Sequence, residues 1–202
     1  MNEDICLSNV SRETFARLKT FEGLVAKWTK RINLVSKSDS AEIWQRHILD
    51  SAQIFDLAPR EGLWLDIGSG GGFPGLVCAI LDADGGRREF ALVDSDQRKC
   101  AFLRSAAREL DLNVKVYAER IEELPAQGAA VLSARALGPL DTLLGFAERH
   151  LDPGGVALFP KGARWEKEVD EARNQWSYDL KTTTSLTNPD ATILRITELT
   201  RA

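Results

Sequence analysis

The sequence predicts an α/β fold: a mostly parallel sheet wound with helices on both faces, behind an N-terminal helical cap. Three observations predict it. From residue 63 onward, short apolar runs alternate with amphipathic helical stretches, the rhythm of strand–helix–strand units. The first of those runs passes directly into a loop with five glycines in the eight residues 68–75. The tail carries two strand-like runs with no helix between them, which makes the last strand antiparallel to its neighbour.

Residues 1–60 read as the cap, part of one compact unit with the sheet domain over 61–202. Ser11 can cap a helix. Phe15, Leu18, Phe21, Val25 and Trp28 then recur at three- and four-residue steps, one apolar helix face. After a break at residues 36–40, Asp39 and Glu42 form a capping arrangement that opens a second helix. Ile43, His47, Ile48, Ser51, Ile54 and Phe55 share a side of it, and Pro59 ends it. Strands follow at 63–67, 90–93, 114–117, 130–133 and 156–159, with helices near 74–83, 96–110, 140–151 and 164–176. Runs 178–185 and 192–199 form a hairpin around Asn188-Pro189-Asp190.

At 202 residues, 44% apolar and 28% charged, the chain can fold around its own core without disulfide or metal. No metal site is expected. A net charge of −4 is not the profile of a naked-DNA binder. The sequence holds no apolar run of membrane-spanning length, and its start, Met1-Asn2-Glu3-Asp4, lacks the features of a signal peptide. Cys6, Cys78 and Cys100 are far apart and without metal-type spacing, which fits a reduced cytoplasmic protein.

A strand that runs into glycines and then a helix offers free backbone N–H groups and a close approach to a ligand. Gly70, Gly72 and Gly75 formally match a dinucleotide fingerprint. Asp66 at the strand end would repel a diphosphate but could hold an ammonium group through an amide or water. Asp-x-Gly-x-Gly-x-Gly, here Asp66 with Gly68, Gly70 and Gly72, is also the pattern of class I, Rossmann-like methyltransferases, whose cofactor is S-adenosyl-L-methionine. Asp94, at the tip of the second strand, can accept both ribose hydroxyls of an adenosine. Ile121 and Glu122, after the third strand, are assigned to the adenine. An NAD(P)-dependent oxidoreductase is the rival on such a sheet. Asp66, the antiparallel tail and the lack of a hydride-transfer constellation oppose it.

Several segments together make the chain resemble the RsmG (GidB) family, bacterial 16S rRNA guanine-N7 methyltransferases. They are Asn33-Leu34-Val35-Ser36, Arg46-His47-x-x-Asp50-Ser51, the glycine loop with its Phe73-Pro74-Gly75 ending, and Asp94-Ser95 with Lys99-x-x-Phe102-Leu103. Glu119-Arg120-Ile121-Glu122, Ser133-Ala134-Arg135-Ala136 and Phe159-Pro160-Lys161-Gly162 continue them in family order. Thr29 departs from the asparagine expected after Trp28, and the tail after 165 matches weakly. The resemblance implies a class I fold and methyl transfer from S-adenosylmethionine to N7 of a guanine, position 527, in the 530 loop of 16S rRNA. It implies cofactor contacts from Asp66, Gly68, Gly70, Gly72, Phe73, Asp94, Ile121, Glu122 and Arg135. Arg46, His47, Arg135 and Lys161 would position the substrate.

Guanine N7 has a lone pair and no proton, so no general base is needed; alignment is. Lys27, Lys30, Arg31 and Lys37 fall in residues 23–38, which hold no acid, and form the candidate RNA-binding patch. An acidic chain would bind free RNA poorly. The expected partner is therefore 16S rRNA within a small ribosomal subunit or assembly intermediate, with the protein acting as a monomer.

Overall fold

The computed structural model describes residue 7, residues 10–36 and residues 42–202. Helix α1, Arg12–Thr29, starts where Ser11 Oγ accepts the Thr14 N–H at 3.0 Å. Its buried stripe is Thr14, Leu18, Phe21, Leu24 and Val25. Phe15, expected on that stripe, is instead 43% exposed, edge-on to Trp44 at 5.4 Å. Thr14 takes the inner place because its hydroxyl, like that of Ser11, donates to Asp84.

The single second helix expected from the sequence is instead three short turns. A π-helical turn spans Trp44–Leu49, α2 spans Asp50–Ala52, and a 3₁₀ turn spans Phe55–Leu57. Ile43 and Ile48 are both buried and lie five residues apart, the spacing a π turn brings into line. The expected cap residue Asp39 lies outside the described residues, as do Cys6 and Lys37.

Seven strands form one sheet: β1 Glu61–Ile67, β2 Arg87–Val93, β3 Val114–Tyr117, β4 Ala129–Ser133, β5 Leu151–Lys161, β6 Trp176–Thr184 and β7 Thr192–Arg201. Their order is β3-β2-β1-β4-β5-β7-β6. The first five are parallel, and β7 runs antiparallel to both β5 and β6. Helices α3 Gly75–Asp82, α4 Gln97–Glu109, α5 Leu140–His150 and α6 Trp165–Ala172 connect them. Helix α6 stops short of the expected 176 because Trp176 opens β6, buried, with its indole N–H donating to Asp141 Oδ1 at 2.8 Å. Strand β5 starts at Leu151 rather than 156, since Leu151 already pairs with Ala129.

One face of the sheet buries Leu65, Ile67, Leu132 and Phe159 under α5 and α6. The other buries Leu76, Leu92 and Phe102 in one cluster with α1, so the cap shares a core with α3 and α4. Trp28 reaches Phe102 at 5.6 Å and Phe21 reaches Phe73 at 5.4 Å. Arg88 ties the cap exit to the sheet. It pairs with Asp82 at 2.7 Å, both nearly buried, and donates to the Pro59 carbonyl at 2.7 Å. Chain order reverses between β1 and β4, which opens a crevice at the carboxyl ends of these strands.

Candidate active site

Two cavities lie at that crevice. The smaller, about 470 Å³, brings together Gly68, Asp94, Ile121 and Glu122, four residues that the sequence assigns to a cofactor. The volume suits a cofactor-sized ligand. Asp94 braces the loop above it: Oδ2 accepts the Gly70 N–H and Oδ1 the Asp96 N–H, both at 2.8 Å. Each oxygen keeps lone-pair capacity for a ligand hydroxyl. Asp96 caps α4, accepting the Arg98 N–H. Gly70 leaves its outer side open; a Cβ there would meet nothing nearer than the Gly68 carbonyl at 3.7 Å.

Of the residues expected at the cofactor, Gly72, Phe73 and Asp66 do not line the smaller cavity. Gly72, at φ +88°, faces the cap: a Cβ would stand 3.0 Å from Phe21 Cζ and 2.9 Å from Leu76 Cδ1. Its freedom lets α1 close on the loop. Phe73 is buried in the same seam, against Phe21 and, at 5.0 Å, His47. Asp66 lies fully buried beneath the loop and lines neither cavity. Its Oδ1 accepts the Ser133 hydroxyl at 2.6 Å, and Ser133 accepts the Trp64 indole N–H at 2.9 Å. Oδ2 accepts no hydrogen bond. Burial pushes the carboxyl up to about 6, against the pull of Ser133. From this place beneath the loop Asp66 could reach a ligand ammonium only through an amide or water, the form in which the sequence reading offered it.

The larger cavity is a groove of about 1090 Å³, lined among others by Arg46, Arg135 and Lys161, three of the four residues the sequence reading assigned to substrate positioning. Arg135 is fixed by the cap. Its Nη1 donates to Asp50 Oδ2 and to the Arg46 carbonyl, both at 3.1 Å, and Nη2 meets His47 Nδ1 at 2.7 Å. Its guanidinium also sits over the Phe73 ring at 5.2 Å. Two of its five N–H groups, on Nε and Nη2, are left for a ligand. These point Arg135 to the groove, and it is absent from the smaller cavity. His47 orients Arg135 rather than lining the groove. Lys161, expected to position the substrate, is 9% exposed and paired with Glu168 at 2.6 Å.

Lys27, Lys30 and Arg31 are exposed at the end of α1, and no carboxylate pairs with them among the described residues. The segment after them turns onto the glycine loop, where a Cβ on Gly71 would be 3.2 Å from the Leu34 carbonyl. The sequence reading missed Lys99, Arg120, Thr142 and Phe146 around the smaller cavity. Thr142 and Phe146 are four apart on α5, a helical spacing that could have shown them. It also missed Asp50 and Glu168, partners of Arg135 and Lys161, and Thr187, whose hydroxyl donates to Asp50 Oδ1 at 2.9 Å from the β6–β7 turn.

Comparison with known proteins places the fold and the family. Among solved structures, an Aquifex aeolicus SAM-dependent methyltransferase superposes with a TM-score of 0.61 at 13% identity, over 79% of this chain and 94% of that one. TYW2 of M. jannaschii, solved with AdoMet, gives 0.58 at 11% identity over 83% and 78%. These likenesses establish the fold. A protein of Ruegeria pomeroyi named ribosomal RNA small subunit methyltransferase G is 59% identical over 194 residues, 96% of this chain and 95% of its own. The protein of that name from Cereibacter sphaeroides ATCC 17029 is 51% identical over 193 residues, 95% and 94%. Residues 14–194 match the GidB family, described as rRNA small subunit methyltransferase G, and the chain belongs to that family.

Proposed function

We propose that the protein transfers a methyl group from S-adenosyl-L-methionine to N7 of guanine 527 in the 530 loop of 16S rRNA. The observation that carries this reading is that the two cavities meet at one loop. One is lined by Gly68, Asp94, Ile121 and Glu122; the other is lined by Arg46 and Arg135. The cofactor is S-adenosyl-L-methionine, which supplies an electrophilic methyl group when bound. Asp94 would take the ribose hydroxyls, Ile121 and Glu122 the adenine, and the open side of Gly70 the close backbone approach. Arg135 offers its remaining N–H pair to guanine O6 or a phosphate, a two-point grip that leaves N7 free. N7 holds no proton, so the chain does its work by orienting the base and excluding water, which is worth several kcal/mol of barrier. Lys27, Lys30 and Arg31, with Lys37, hold the RNA backbone.

The substrate is the small ribosomal subunit or an assembly intermediate, and the protein acts in the cytoplasm as a monomer. The test uses subunits from a strain lacking the gene, incubated with the protein and S-adenosylmethionine and mapped for 7-methylguanine by borohydride and aniline cleavage. One new cleavage at guanine 527 is expected. No cleavage, with S-adenosylhomocysteine still bound, would overturn the target; failure of both would overturn the enzyme.

A further inference from the structure

The two cavities share a wall. Ala136 and Leu137, in the loop between β4 and α5, line both. Leu137 is 41% exposed, and its Cδ1 would stand 2.5 Å from a Cβ on Gly68, so it lies directly on the glycine loop. Ala136 before it takes φ +54°, a left-handed conformation that a side chain resists. Such a conformation persists only where the surroundings hold it.

Both ends of the loop are held. At its start, Arg135 is fixed by Asp50 and the Arg46 carbonyl. At its end, Glu168 Oε2 accepts the Leu140 N–H at 2.8 Å and pairs with Lys161, whose ammonium donates to the Gly138 carbonyl at 2.9 Å. Lys161 thus closes a clamp on residues 138–140. A lysine reaching for a phosphate would extend away from this carbonyl.

We infer that Lys161 and Glu168 are positioning residues for methyl transfer. They hold the 134–139 loop so that Leu137 forms the partition where methyl donor and acceptor base meet. This rests on the function proposed above. An apolar side chain at that point limits water and sets the angle at which a base enters, and small misalignments there are costly.

Hydrogen exchange and kinetics test it together. In Glu168→Ala, the peptide over 134–142 is expected to exchange faster than in the wild type, while the β1 peptide is unchanged. On ribosomal subunits, Glu168→Ala and Leu137→Ala are each expected to lower kcat on the order of 10-fold to 100-fold. KM for S-adenosylmethionine stays within about twofold. The double variant is no slower than the slower single, because both act through one wall. Glu168→Gln, which keeps an acceptor for Leu140, and Leu137→Met recover most of the rate. Unchanged exchange over 134–142 would overturn the clamp, and losses that multiply in the double variant would overturn the partition. A wild type that methylates no subunit would overturn the proposed function, and the exchange result would still decide the clamp.

Discussion

Replacing Asp66 by asparagine reads out the cost of a buried carboxylate beneath the glycine loop. Asp66 is fully buried, accepts one side-chain hydrogen bond from Ser133, and has its second oxygen unpartnered. Burial raises its pKa from 3.8 to about 6. That gap corresponds to about 3 kcal/mol, at 1.36 kcal/mol for each tenfold change in proton affinity. The folded state binds this proton more tightly than the unfolded state. The stability it contributes is therefore fully present below pH 3.8 and lost as pH rises through about 6. The amide of the variant would not titrate. The measurement is urea unfolding of both proteins across about pH 4 to pH 8, taking wild type minus Asp66→Asn at each pH. The difference should fall by about 2 kcal/mol over that window, the rest of the effect lying below about pH 4, whatever constant offset the amide itself introduces. A flat difference would refute the reasoning. Ser133→Ala should move the midpoint of the fall to higher pH, since the Ser133 hydroxyl favours the charged form.

Other outcomes follow from particular pairings in the fold. Arg88→Met strands Asp82 as a buried, unpaired charge and should cost about 3–5 kcal/mol in urea unfolding; adding Asp82→Leu should restore much of it. His150 is buried, and burial with the nearby Arg149 lowers its pKa below 6.5. Its contribution is present above pH 6.5 and lost as pH falls, so the difference between wild type and His150→Leu should decline on acidification, opposite in sign to the Asp66 effect. Asp94→Ala frees the Gly70 N–H and removes the proposed ribose acceptor, and calorimetry should find S-adenosylhomocysteine bound on the order of 10-fold more weakly. Gly70→Ala should weaken it as well, since the new methyl group occupies the open side of the loop.

The parallel half of the fold was legible because its strands are apolar runs closed by loops. Leu63 to Ile67 and Phe90 to Val93 are read as strands from composition alone, and each lies within its observed strand. The turn over Trp44–Leu49 was not, because Ile43, His47 and Ile48 suit an α or a π repeat and only the core contacts choose. The glycine loop was legible as the turn between the first strand and its helix, but which partners its residues meet was not. Gly72 and Phe73 serve the cap because Phe21, some fifty residues earlier in sequence, packs there. Lys161 looked free because its partner Glu168 sits on the next helix, and local spacing carries no sign of that meeting. Asp50 stood inside a recognised motif, yet its partners Arg135 and Thr187 come from distant loops.

An acidic chain that grips RNA must do so with few cations, and the structure limits which. Five cationic and four acidic side chains line the groove, so it attracts phosphate weakly as a whole. Arg135 and Lys161 are already neutralised by Asp50 and Glu168. Arg164 lines the groove exposed and without a carboxylate partner among the described residues, and the exposed cations Lys27, Lys30 and Arg31, with Lys37 beside them in sequence, form the basic patch that would displace counterions. Three or four phosphate contacts give a log–log salt dependence of about −2 to −4, shallow for a nucleic-acid enzyme. Filter binding of a 530-loop RNA across salt concentrations should return that slope, with weak affinity throughout. Lys30→Glu with Arg31→Glu should flatten it further and reduce methylation of subunits, while S-adenosylhomocysteine binding is unchanged. A slope of about −6 or steeper would mean that the paired groove cations open to the RNA and carry the binding. The shallow slope would instead leave most of the recognition to the shape of the assembled subunit.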